Sequence, residues 1–216
     1  ALKFYKSISP DDPRNRLKSE CDFLTYVNNT PASLKIPRLI ASCPVSNWSL
    51  LSWIHGEKLR KLSEEHLTQI VNFISDINIK PVHQAISLQA ASEASLSPKV
   101  VSENLKRRVT KLVTTKPTND LEQQVSKWIN EVLMPESKQQ LSLFEKHYHV
   151  NSWSIEAMQI IASPSDVGIH NTILRKKSLY FLDFEYAGMD DLAKFACDWV
   201  LQPEHPLNQK KEEYFL

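Results

Sequence analysis

Three oxygen-bearing side chains late in the chain, Asp166, Asn171 and Asp183, have types and spacing suited to handling phosphate and a hard cation. Residues 163–171 read Ser-Pro-Ser-Asp-Val-Gly-Ile-His-Asn, and a short apolar stretch then leads to Leu182-Asp183-Phe184-Glu185. If Leu174 and Leu179 flank a four-residue turn over residues 175–178, hairpin register puts Asp183 opposite His170 and beside Asn171. Asp166 stands at the start of the same loop, and Gly168 is expected to let that loop turn sharply. A carboxylate, an amide and a second carboxylate would then converge. Such oxygen donors suit Mg²⁺, which keeps waters and phosphate oxygens in its shell. An Asp or Asn alone in a loop is more simply read as making a local turn bond. The third residue, placed by a hydrophobic strand, is what points to chemistry.

The elements that must position these residues follow from periodicity. Residues 1–5 alternate as a strand, with Leu2 and Phe4 on one face and Ala1, Lys3 and Tyr5 on the other. Asp12 followed by Pro13 predicts a helix start, and Leu17, Cys21, Leu24 and Val27 form one apolar stripe on the helix that follows. Residues 39–41 and 50–54 predict two further strands, the second broken by Gly56. The texture then turns helical. Ser63 caps a helix with the stripe Leu67, Ile70, Val71, Ile74 and Ile77. Residues 81–98 are read as a loop. Ser97-Pro98 opens a helix with Val101, Leu105, Val109 and Leu112 inward. Asn119 caps another carrying Leu121, Val125, Trp128 and Val132, and Pro135 opens a fourth reaching about Tyr148. These Trp and Leu stripes are expected to be core. Strands return at 159–162, 172–174 and 179–182, and a last helix runs from about Asp191 to Val200. There are no internal repeats.

Composition narrows the classes of function. Hydrophobic residues make up 42% of the 216, enough for a real core, and a net charge of +1 offers nothing to attract a polyanion, which argues against nucleic acid. No apolar run approaches the length of a membrane span. Cys21, Cys43 and Cys197 are odd in number and far apart, matching neither a disulfide framework nor a zinc site, so each is expected to be a small buried hydrophobe in a reducing, cytoplasmic setting. The seven histidines show no metal-ligand spacing. Gly56, Gly168 and Gly188 are the only glycines, so a glycine-rich phosphate loop is not present. The chain opens on an apolar segment without Met, and further residues upstream are expected.

Asp166, Asn171 and Asp183 together resemble the catalytic loop and metal-binding Asp of the aminoglycoside phosphotransferase and choline kinase family, whose pattern is His-Gly-Asp, Asn five residues after that Asp, and then Ile-Asp-Phe or Ile-Asp-Trp. Leu182-Asp-Phe-Glu-Tyr-Ala-Gly188 is similar to the choline kinase branch in particular. The resemblance extends forward to Ala1-Leu-Lys3, the strand of the phosphate-anchoring Lys, to Glu20 as its partner on the next helix, and to Leu51-Ser-Trp-Ile-His-Gly56, where the backbone of Ser52 and Ile54 would hold adenine. Pro164 stands where the family has its bracing His, and Ser163 or His170 is available in its place.

What the resemblance implies is an α+β, protein-kinase-like two-lobe fold. Residues 1–56 would be a partial nucleotide-binding lobe with a small antiparallel sheet, and residues 57–216 a mainly helical catalytic lobe with a β-hairpin. The implied activity is ATP- and Mg²⁺-dependent phosphate transfer to a hydroxyl of a small molecule such as a sugar, an amino alcohol or an aminoglycoside. Asp166 would be the catalytic base, Asn171 and Asp183 the metal ligands, and Lys3 and Glu20 the phosphate anchor. Lys6 is a second candidate for the anchor. Glu185, Asp190, Asp191 and Asp198 are read either as a solvated face and helix caps or as an acidic wall for a cationic acceptor. The alternative to an enzyme is a nucleotide-binding pseudokinase, or an interaction module without turnover.

Overall fold

The computed structural model describes residues 1–6, 14–79, 88–148 and 159–203. The first strand, β1 (Leu2–Phe4), pairs antiparallel with β3 (Trp48–Leu51), which also pairs with β2 (Leu39–Cys43), giving the order β1-β3-β2. The alternation is as expected, but the sides are unequal. Leu2 and Phe4 are exposed, while Tyr5 and Ser49 are buried on the face that carries Lys3. Helix α1 (Arg16–Val27) packs against β2 and β3. It starts three residues later than expected: Asn15 is the cap, accepting from the Lys18 amide, and Asp12 and Pro13 lie outside the described residues. Its inward face is Leu17, Glu20, Phe23, Leu24 and Val27, so the stripe includes Glu20 and Phe23 where Cys21 was expected. None of the three cysteines is buried.

A second sheet has the order β4-β6-β7, from β4 (Glu57–Lys58), β6 (Thr172–Arg175) and β7 (Ser178–Phe181). The hairpin β6–β7 has the expected register, with Leu174 opposite Leu179 and Thr172 opposite Phe181. Its turn is tighter than anticipated, because Arg175 and Ser178 also pair and Lys176 takes a left-handed φ of 58°. Gly56 permits close approach to this sheet: a Cβ there would stand 2.5 Å from Cγ2 of Ile173 and 2.6 Å from the Leu174 carbonyl oxygen. A third pair joins β5 (Ile160–Ser163) to β8 (Gly188–Asp191), the latter not foreseen as a strand. Helix α2 (Glu64–Ile77), capped by Ser63 in a capping box with His66, packs on β7, and α6 (Leu192–Val200), capped by Asp191, packs on β5 and β8.

These elements form one compact unit, Ala1–Ala94 with Gln159–Leu216. All of the continuous hydrophobic core lies here. At its centre Phe73 stacks on Phe181 with ring centroids 4.1 Å apart, and Phe184 lies 4.9 Å from Phe23, joining α1, α2, β7 and the segment after it. Full burial of each such ring is worth about 1.5–3 kcal/mol.

The second unit, Ser95–Met158, is helical. It comprises α3 (Pro98–Thr114), α4 (Asp120–Trp128), a π turn at Ile129–Leu133 and α5 (Met134–Tyr148). Pro135 does not open a new helix. It has no N–H for the Glu131 carbonyl, and the wider π turn just before it takes up the misfit, so α4 runs through into α5. Glu145 of α5 accepts from Ser102 and Lys106 of α3. The stripe Leu121, Val125, Trp128 and Val132, expected to be core, is exposed, as is Leu112. Among the described residues no helix is long and apolar enough to cross a membrane.

Candidate active site

The ammonium of Lys3 is the centre of the site. Its Nζ lies 2.6 Å from Oε2 of Glu20 and 2.6 Å from Oδ1 of Asp183, with Glu185 at 3.5 Å. Three segments far apart in sequence thus meet on one charge: β1, α1 and the stretch after β7. Glu20 is fully buried and accepts from three groups. Besides Lys3, it takes the Tyr5 hydroxyl at 2.5 Å and the Phe184 amide at 3.3 Å, while Tyr5 is held in turn by Ser49 at 2.8 Å. A buried carboxylate is tolerated only when so satisfied. Burial works against the Lys3 charge, but the carboxylates of Glu20 and Asp183 outweigh it and hold its pKa above the ordinary lysine value. Burial first, and the Glu20 charge second, push the Tyr5 pKa up.

Above this cluster is a cleft of about 550 Å³. Lys3, Glu20 and Asp183 form its polar end, and Leu51, residues 52–56, Ile173 and Leu182 its apolar walls. That size and this mix of apolar wall with a few convergent charges suit a ligand of nucleotide dimensions. Ser52 and Ile54 both line it. The Ser52 amide and hydroxyl are taken up by Arg38, which leaves the Ser52 carbonyl and the Ile54 amide without partners among the described residues.

The loop with Asp166 and Asn171 leads into β6 at the end of the hairpin from which Asp183 follows β7. Asn171 sits in a 3-10 turn, Ile169–Asn171, and its carbonyl accepts from the Leu182 amide at 2.9 Å, one residue short of Asp183. Its Nδ2 donates to the Asp166 carbonyl at 3.1 Å, so Oδ1 is the atom left to face a cation. Asp183 is at φ 65°, a left-handed conformation that costs a residue with a side chain about 1–2 kcal/mol. An amide oxygen and a half-exposed carboxylate are hard donors that fit Mg²⁺, and they would hold it with Lys3 adjacent. No group of three His, Cys, Asp or Glu able to hold a metal occurs among the described residues. Gly168 does not make the sharp turn that was expected of it: its φ of −63° is ordinary, and Ser165 carries the left-handed φ of 62°.

Some residues were missed or misread. Tyr5 and Ser49 are part of the anchor, and Tyr5 was findable because alternation puts it on the Lys3 face. Gln202, which donates to Asp166 at 3.3 Å, follows α6 with no signal of its own. The acidic residues are not an open wall. Glu185 has Lys3 and Arg16 beside it, Asp190 and Asp198 share Lys194, and Asp191 is a cap.

The fold is that of the small-molecule phosphotransferases, α+β with small antiparallel sheets. The whole chain superposes on a gentamicin complex of the aminoglycoside phosphotransferase APH(2")-IIa with a TM-score of 0.61 at 17% identity, covering 68% of that chain. A choline/ethanolamine kinase family protein from Mesorhizobium loti gives a TM-score of 0.61 at 12% identity, with 99% of this chain and 61% of that one covered. AMP-bound spectinomycin phosphotransferase, APH(9)-Ia, gives 0.58 at 13% identity, with 99% and 67% covered. The chain thus spans about two thirds of the length of these structures. No family model matches the chain, and no curated protein matches it in sequence.

Proposed function

We propose that the chain is the nucleotide-binding and phosphate-transfer part of an ATP- and Mg²⁺-dependent phosphotransferase acting on a hydroxyl of a small molecule. The observation that carries this reading is Lys3 Nζ at 2.6 Å from both Glu20 and Asp183, at the polar end of a nucleotide-sized cleft. Residues 1–56 would form the partial nucleotide-binding lobe and residues 57–216 the catalytic lobe. The Ser52 carbonyl and the Ile54 amide would meet the edge of adenine, and Lys3, fixed by Glu20, would meet the phosphates. Asn171 and Asp183 would hold Mg²⁺, which supplies charge neutralisation on the phosphate oxygens when bound. The acceptor oxygen attacks the terminal phosphorus, the bond to the bridging oxygen breaks, ADP leaves, and the acceptor proton passes to Asp166. Catalysis of this kind is mainly positioning and charge stabilisation. A sugar, an amino alcohol or an aminoglycoside would each present a suitable hydroxyl.

The test joins binding to turnover. Mg²⁺-ATP should raise the melting temperature of the wild type, and Asp183→Asn should lose the Mg²⁺-dependent part of that gain. Equal gains in both proteins would remove Asp183 as a ligand. With a panel of hydroxyl acceptors, Asp166→Asn should lower turnover roughly 10²–10⁴-fold with little change in nucleotide affinity. Stabilisation without turnover for any acceptor would instead favour a nucleotide-binding pseudokinase.

A further inference from the structure

The carboxylate of Asp166 is held from two sides. Oδ2 lies 3.0 Å from Nε2 of His170, and Oδ1 accepts from Nε2 of Gln202 at 3.3 Å. The two donors have separate origins, one in the 3-10 turn of the same loop and one just beyond α6. The loop between them is tied down as well. The Trp199 indole donates to the Val167 carbonyl at 3.3 Å, and Thr172 Oγ1 donates to the Gly168 carbonyl at 2.9 Å.

Gly168 supplies an independent observation. Its torsions, φ −63° and ψ 167°, are open to any residue, so the glycine is not there for its backbone. A Cβ at this position would stand 2.5 Å from Cε1 and 2.6 Å from Nδ1 of His170. The imidazole fills the space that a side chain would take.

We infer that His170, seated against Gly168, and Gln202 are positioning residues that fix the Asp166 carboxylate to receive the proton of the acceptor hydroxyl. The inference rests on the phosphotransferase reading above. The Gly168 amide also donates to Oδ1, at 3.4 Å, and a carboxylate has about four acceptor sites, so one remains, on Oδ2, for the acceptor hydroxyl. Both side chains of the His170–Asp166 pair are about one-third exposed, which makes the pair a weak source of stability. Its effect should therefore fall on turnover.

The experiment uses the full chain with Mg²⁺-ATP and water as the acceptor, measuring ATP hydrolysis. His170→Ala should lower kcat roughly tenfold and leave KM for ATP within about twofold. His170→Gln, which keeps an N–H donor, should recover most of the loss. Gly168→Ala should lower kcat as far as His170→Ala, because it displaces the ring, and the double variant should be no worse than either single one. Wild-type kcat in His170→Ala, or losses that multiply in the double variant, would overturn the inference. The seating has a readout that needs no turnover. Gly168→Ala should lower the urea midpoint in the wild-type background and leave it unchanged in the His170→Ala background, and equal shifts in both would exclude the seating. A wild type that is stabilised by Mg²⁺-ATP but transfers phosphate neither to water nor to any of the hydroxyl acceptors removes the positioning role together with the phosphotransferase reading, while the urea cycle still decides the seating.

Discussion

Glu20 shows how one side chain can commit three elements at once. It is fully buried, and its two oxygens receive an ammonium from β1, a phenol from the residue after β1, and an amide from the segment after β7. The phenol is the most easily tested member. Tyr5→Phe removes the hydroxyl shared by Glu20 and Ser49 and should cost about 1–3 kcal/mol at neutral pH, the scale for leaving buried polar partners unsatisfied. The cost should also vary with pH. The Tyr5 pKa is raised above its ordinary value of 10.0, so the folded state favours the neutral phenol. Its contribution is fully present below pH 10.0 and is lost as pH rises beyond it. Lys3 is raised above 10.5 and its contribution is lost in the same direction. The stability gap between wild type and Tyr5→Phe, measured by urea unfolding from pH 8 to about 11, should therefore narrow above about pH 10. A gap that stays constant would mean that Tyr5 titrates alike in both states. In the sequence, strand alternation was enough to put Lys3 and Tyr5 on one face. Whether Glu20 was exposed or buried was not legible, because an isolated Glu among polar helix residues gives no sign of a cation waiting across the fold.

At the level of elements, the hairpin β6–β7 was the most legible part of the chain. Leu174 and Leu179 flank a run of basic turn residues, and a period of two allows one register that buries Leu179 and Phe181 together. That register carries Asn171 and Asp183 toward one end. β8 was not legible. Gly-Met-Asp-Asp lacks the β-branched and aromatic residues of a strand, and it pairs because β5 presents Ile160–Ser163 alongside it. The stripe Leu121–Val125–Trp128–Val132 was read correctly as one helix face and wrongly as core. Periodicity identifies a face, but says nothing of what covers it. The aromatic cluster does join elements, and Phe184 is its least replaceable member because its ring lies beside both Phe23 and Phe73 while its backbone directly follows Asp183. Phe184→Ala should cost about 3–5 kcal/mol in urea unfolding, from lost transfer energy and the cavity left behind. A loss under about 1 kcal/mol would mean that the site collapses around the gap, and that the cluster does not anchor Asp183.

At the scale of the molecule, the two units differ in kind. Every residue of the continuous hydrophobic core belongs to Ala1–Ala94 or Gln159–Leu216, and so do Lys3, Glu20, Asp166, Asn171 and Asp183. In Ser95–Met158 the large apolar side chains are mostly exposed or half-buried, with Ile129 the buried one among the described residues. The first unit is discontinuous, yet its two ends converge. Ala90 bridges Met189 on one edge of β8, while Ala162 pairs with the same Met189 on the other. Two strand spacings separate them, about 10 Å. A flexible Gly-Ser linker of about ten residues has the reach to close such a gap. Replacing residues 95–158 by that linker should leave a chain that unfolds in one cooperative urea transition, because no core residue has been removed. It should also keep the stabilisation by Mg²⁺-ATP if the proposed nucleotide site is correct, since every residue assigned to that site remains. The excised segment, expressed alone, should show helical circular dichroism without a cooperative transition, having too little buried apolar surface to offset the ordering of its backbone. A linker variant that fails to fold beside an excised segment that unfolds cooperatively would reverse this assignment and place the stable core in the helical unit.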